Sequence, residues 1–124
     1  MSARIVLPWP PSANRLWRSP NRGPLAGRHL ISREGRTYKA TVARLLRERG
    51  PADPLPGPVS VRIGAHPPDR RKRDLDNLAK IILDSLKGEL FVDDGDIDHL
   101  VLERCSLDRP HGSIVVEVYP WPAT

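Results

Sequence analysis

The sequence predicts an α+β fold: a single domain over residues 1–124, with a mixed β-sheet packed by two main helices in the order β-α-β-α-β-β. Three observations carry this. Apolar residues recur at helical spacing in two stretches, 34–49 and 75–86. Short runs rich in Val, Ile and Leu lie at 4–7, 59–66, 97–107 and 113–119. A chain of 124 residues has room for one core and little else, and no internal repeat divides it.

The first strand is Arg4-Ile5-Val6-Leu7, stopped by Pro8-Trp9-Pro10-Pro11. Residues 10–32 are rich in Pro, Gly, Asn, Ser and Arg, and read as a long basic loop with a brief strand near 28–32. In the first helix Tyr38, Val42, Leu45 and Leu46 share a face, Ser32 is placed to cap the start, and Gly50-Pro51 ends it. Four prolines between 51 and 58 make a stiff connection. Val59, Val61, Ile63 and Ala65 alternate with Ser60, Arg62, Gly64 and His66, the pattern of a half-buried strand. Leu75, Leu78, Ala79, Ile82, Leu83 and Leu86 form the stripe of the second helix, which Gly88 closes. The turn residues 108–112 then predict that strands 97–107 and 113–119 pair as a hairpin.

The net charge of +5 is unevenly spread. Residues 1–50 hold eleven Lys/Arg against Glu34 and Glu48, and residues 51–124 hold nine against thirteen acids. An Arg-dominated basic half suits a polyanion such as nucleic acid; the plainer alternative is a solvated basic face. No apolar run approaches membrane-spanning length and no signal-peptide layout is visible, so a cytoplasmic protein without a membrane partner is expected. The single Cys105 cannot form an internal disulfide, which fits a reducing compartment, and it is expected as a small buried hydrophobe in a strand.

The chemistry concentrates in residues 69–80, Asp-Arg-Arg-Lys-Arg-Asp-Leu-Asp-Asn-Leu-Ala-Lys, and in Asp93-Asp94-Gly95-Asp96-Ile97-Asp98. Four cations run into the carboxylate pair Asp74 and Asp76, and Lys80 follows one helical turn on. Each piece has a simpler reading. Asp74 or Asp76 caps the helix, Asp76 and Lys80 form an i,i+4 pair, and the acidic loop is a solvated turn. An EF-hand is excluded, because His99 and Cys105 stand where its glycine and bidentate glutamate belong. The combination of cations with two aspartate clusters points instead to a metal-dependent enzyme acting on nucleic acid. Oxygen donors select Mg²⁺, with Mn²⁺ as substitute, and the four histidines lack zinc-ligand spacing. No small-molecule cofactor is implied. If Asp74 and Asp76 hold metal together with the second aspartate cluster, their carboxylates should converge within about 4 to 6 Å of one point.

Four stretches together resemble the RusA family of Holliday junction resolvases. They are Leu7-Pro8-Trp9-Pro10-Pro11-Ser12-Ala13-Asn14-Arg15, residues 68–80 with their Arg-Asp-Leu-Asp-Asn-Leu-x-Lys string, Asp84-Ser85-Leu86, and Asp93-Asp94. The resemblance covers residues 5–118 and implies a RusA-like homodimer, a Mg²⁺-dependent endonuclease that resolves four-way DNA junctions during recombination and repair. It places the catalytic metal ligands on Asp74, Asp76 and Asp94, the essential lysine on Lys80 and a functional asparagine on Asn77. Asp93 stays an alternative to Asp94, because the connection 87–92 is slightly shorter than the family's and carries Glu89 near its usual glycine turn. Asp96 and Asp98 take no role. Arg70, Arg71, Lys72 and Arg73, with Arg15 and Arg18 of the first loop, are expected to grip the DNA backbone. Two rivals share much of this reading: a junction-binding protein without catalysis, and a nuclease acting on forks or flaps.

Overall fold

The computed structural model describes residues 2–12, 17–18, 23–24, 30–50 and 53–122. Its main sheet holds β1 (Ala3–Pro8), β4 (Val59–His66), β5 (Ile97–Arg104) and β6 (Ser113–Pro120), in the spatial order β1-β6-β4-β5. Helices α1 (Arg33–Glu48) and α2 (Leu75–Leu86) contribute to the one core under this sheet. A two-residue ribbon, β2 (Trp17–Arg18) with β3 (Leu30–Ile31), interrupts the first connection. The order β-α-β-α-β-β is therefore present with that ribbon added.

Each helix forms where its apolar stripe and its start signal agree. Ser32 Oγ accepts the Gly35 N–H at 3.1 Å, and Tyr38, Val42 and Leu46 turn to the core. Tyr38 also reaches across to donate its hydroxyl to the Pro8 carbonyl at 2.8 Å, tying α1 to the end of β1, and burial pushes that hydroxyl's pKa well up. In α2 the residues Leu78, Ile81, Ile82 and Leu86 are buried against Val59, Val61, Ile63 and Ala65 of β4 and Ile114, Val116 and Val118 of β6. Each such side chain contributes about 1.5–3 kcal/mol of apolar burial.

The expected hairpin between the last two strands is not there. β5 pairs with β4 in parallel, β6 pairs with β4 and β1 antiparallel, and β4 lies between β5 and β6. The cause is the β4–α2–β5 unit: a helical crossover returns the chain parallel beside the strand it left. The next segment then passes over the end of β4 and delivers β6 to the other side. Backbone bonds hold it there, from Cys105 N–H to the Ala65 carbonyl and from Asp108 N–H to the Pro67 carbonyl, both 2.8 Å. His66 Nδ1 lies 2.9 Å from the Ser106 carbonyl oxygen. Gly112 (φ +78°) closes the passage where a Cβ would stand 2.8 Å from Pro68 Cδ. β5 consequently ends at Arg104, and Cys105 is a half-buried residue of this crossing segment rather than a buried strand residue.

At the opposite end, the buried Ser60 hydroxyl lies 2.9 Å from His99 Nδ1, and the His99 ring stacks on Trp121 with centroids 4.0 Å apart. That cluster closes the start of β4 against β5.

Candidate active site

The site is arranged around α2. Asp74 is its N-cap residue, in extended conformation (φ −83°, ψ 125°), and its side chain makes no capping hydrogen bond. An aspartate at this position ordinarily accepts from the first turn; here the carboxylate is exposed. Leu75 turns toward the core, while Asp76 and Asn77 occupy the exposed side of the first turn. Lys80 follows Asp76 by one turn and Asp84 follows by two, so the three line a single stripe opposite the buried one.

The stripe meets the chain again where it returns to the sheet. A cavity of about 410 Å³ is lined by Lys80, Leu83, Asp84, Asp94, Ile97 and Leu100. Asp94 opens the short 3-10 turn Asp94–Asp96 that leads into β5. Its neighbour Asp93 is committed elsewhere: Asp93 Oδ2 accepts the Gly95 N–H at 3.2 Å, and Asp93 Oδ1 pairs with Lys87 Nζ at 3.1 Å. That hydrogen bond to Lys87, with the Gly95 N–H beside it, holds the Asp93 carboxyl below the usual range. Lys87 is pushed up first by Asp93 and then by the nearby charges of Asp94 and Asp84. Of the two candidate residues, Asp94 therefore faces the cavity and Asp93 staples the turn.

Sequence reasoning gave Asp84 no role. Its signal was present in the spacing Asp76, Lys80, Asp84, which repeats every four residues along one helix face.

The expected convergence of three carboxylates is not seen. Among the described residues, no group of three or more His, Cys, Asp or Glu side chains stands close enough to hold a metal ion. Asp74 and Asp76 lie at the start of α2, whereas Asp94 sits beside Lys80 and Asp84 further along it, about 6 Å of helix per four residues. The donor chemistry nevertheless fits a hard divalent cation. Mg²⁺ ordinarily takes one or two carboxylates and completes its shell with water and substrate phosphate, so a closed protein cage is not required.

The basic approach to α2 divides in two. Arg70, Arg71 and Lys72 are exposed. Arg73 is turned inward: its guanidinium donates to the carbonyls of Asp69 and Arg71 at 3.3 Å, pairs with Asp69 Oδ1 at 2.8 Å and lies 5.3 Å over the Trp9 ring. Asp69 is held below the usual carboxylate range, first by the Arg71 N–H at 2.9 Å and also by Arg73. Arg15 lies outside the described residues; Arg18 is placed only by its backbone, in β2.

The sequence profile of the family described as Endodeoxyribonuclease RusA matches residues 8–119. The crossover junction endodeoxyribonuclease RusA of Escherichia coli K12 is 46% identical over 94 residues, covering 75% of this chain and 74% of that protein. The protein of the same name from Enterobacteria phage 82 is 47% identical over 94 residues, with the same coverage, and the one from Shigella sonnei is 46% identical. With its carboxylate-and-lysine helix set in a match that spans nearly the whole sequence, the chain belongs to the RusA family of endodeoxyribonucleases.

Proposed function

We propose that this protein is a divalent-metal-dependent endodeoxyribonuclease that resolves four-way (Holliday) DNA junctions by paired, symmetric nicks in recombination and repair. One observation supports it above the others: Lys80 shares a cavity with Asp94 and Asp84, one turn along the helix from Asp76. A cation set among carboxylates, beneath a basic approach, suits a phosphodiester whose charge grows during hydrolysis.

Asp74, Asp76 and Asp94 would hold one or two Mg²⁺ ions, or Mn²⁺ in their place, each ion taking one or two of these carboxylates and completing its shell with water and substrate phosphate. When bound, the ion supplies Lewis-acid charge at the scissile phosphate. Lys80 neutralises the phosphoryl oxygens or orients the attacking water, and Asn77 hydrogen-bonds a ligand carboxylate or a phosphate oxygen. The exposed Arg70, Arg71 and Lys72 contact the backbone phosphates, each contact adding about 0.9 to the salt slope of binding. Arg73 lends its charge from the inner side of the same loop, and Arg15 and Arg18 complete the grip. The substrate is two-fold symmetric, so a homodimer presenting two such sites matches it. No helix among the described residues is long and apolar enough to cross a membrane, and cytoplasmic action on DNA is the matching location.

The test is cleavage of a synthetic four-way junction in Mg²⁺ by the protein and by Asp74→Asn. Symmetric paired nicks, lost in the variant while junction binding persists, are expected. Unchanged cutting by Asp74→Asn removes the metal-ligand role, equal cutting of linear duplex replaces the resolvase by a general nuclease, and binding without Mg²⁺-dependent cutting leaves a junction-binding protein.

A further inference from the structure

Immediately before Asp74 the chain is clamped from four sides. Asp69 accepts the Arg71 N–H and pairs with Arg73; Arg73 donates back to the carbonyls of Asp69 and Arg71; Trp9, just past β1, lies under the Arg73 guanidinium. The fourth contact comes from the sheet. Arg104, the last residue of β5, donates Nη2–H to the Arg73 carbonyl oxygen at 2.6 Å. Arg104 is itself fixed by its register opposite Ala65 in β4.

The atom that Arg104 holds matters. The Arg73 carbonyl belongs to the peptide that joins Arg73 to Asp74. That peptide is planar, so holding its oxygen also holds the Asp74 N–H and Cα, the point from which the Asp74 side chain departs. Asp74 lacks a capping hydrogen bond that would orient its side chain from within the helix.

We propose that Arg104 is a positioning residue: through the Arg73 carbonyl it sets the direction of the Asp74 carboxylate and thereby the affinity of the site for its divalent ion. This rests on the reading of Asp74 as a metal ligand. Arg104 does not touch the phosphate in this role. One N–H of its guanidinium is given to the backbone of the basic approach, a contact of a different kind from the phosphate contacts proposed for Arg70 and Arg71.

Three variants of the full chain test this: Arg104→Ala, Arg104→Lys and Asp74→Asn. Single-turnover junction cleavage is followed against Mg²⁺ concentration, and junction affinity is measured in EDTA across a salt series. Arg104→Ala should slow cleavage by about ten- to a hundred-fold, the range for small misplacements of a reacting group. It should raise the Mg²⁺ needed for half-maximal rate and leave junction affinity within about two-fold, with no drop in the salt slope of about 0.9 that loss of a phosphate contact would give. Arg104→Lys, whose ammonium still donates to a carbonyl, should recover most of the rate. A fall in affinity and salt slope that accounts for the lost cleavage overturns the inference and makes Arg104 a DNA contact. Wild-type cleavage by Arg104→Ala also overturns it, provided Asp74→Asn is inactive. If Asp74→Asn itself cuts normally, the underlying ligand assignment falls instead.

Discussion

Lys87 Nζ stands 3.1 Å from Asp93 Oδ1, while Asp94, the next residue, lines the cavity with Lys80 and Asp84. Adjacent aspartates thus have different surroundings, one closing a turn and the other facing the cavity. Asp93→Asn should keep cleavage within about three-fold of wild type, since an exposed pair of this kind is worth at most about 1 kcal/mol. Asp94→Asn should lose cleavage by at least about a hundred-fold. Junction cleavage by the two purified variants at saturating Mg²⁺ decides it; the reverse ranking would move the ligand to Asp93.

Lys80 is exposed on the helix stripe that carries Asp76 and Asp84. The role at the phosphate proposed for it predicts that Lys80→Ala slows single-turnover cleavage by about a hundred-fold or more, the scale of losing one charge-stabilising donor. Junction affinity in EDTA should change little. A defect confined to affinity would move Lys80 to the DNA grip.

Asp69 links the basic approach to pH. Its carboxyl is held below the ordinary range by the Arg71 N–H and by Arg73. A group depressed in the folded state stabilises the fold above its unfolded pKa of about 3.9, and that contribution is lost as pH falls through the lower folded value. The thermal midpoint of wild type should therefore exceed that of Asp69→Asn at neutral pH, and the gap should close as pH drops below the ordinary carboxylate range. A gap that widens on acidification would contradict the assigned contacts.

Phe91 is 0% exposed, and its carbonyl accepts the Gly88 N–H at 2.7 Å in the turn that brings the chain back to Asp94. Phe91→Ala should cost about 3–5 kcal/mol, read as a lower urea midpoint with an unchanged slope. A cost below about 1 kcal/mol would mean that the cavity collapses and the turn does not depend on the ring.

Much of this was written in local pattern. The stripe of α2, the alternation of Val59 to Ala65 and the capping role of Ser32 follow from periods and end signals that need no tertiary context. The position of β5 did not, because the turn residues 108–112 are compatible with a hairpin and with a crossing. Only the parallel return through α2 chooses between them. At the site, the stripe of Asp76 and Lys80 was legible from spacing, and so was Asp84 in principle. The separate fates of Asp93 and Asp94 were not, since both depend on where Lys87 projects. Arg73 also read as one more surface cation, because Trp9, which lies under it, is far away in sequence.

The crossover through α2 makes the helix a spacer between the two acidic segments. Asp74 enters at one end and Asp94 comes back along its flank, so their registration is carried by twelve residues of helix. One residue inserted within it would rotate everything beyond by about 100° and advance it about 1.5 Å, turning Asp84 off the stripe that Asp76 begins. Seven inserted residues, about two full turns, would restore the direction while lengthening the reach by about 10 Å. Variation in chain length should thus be absorbed in the connections on either side of α2, and the helix itself should behave as a fixed ruler.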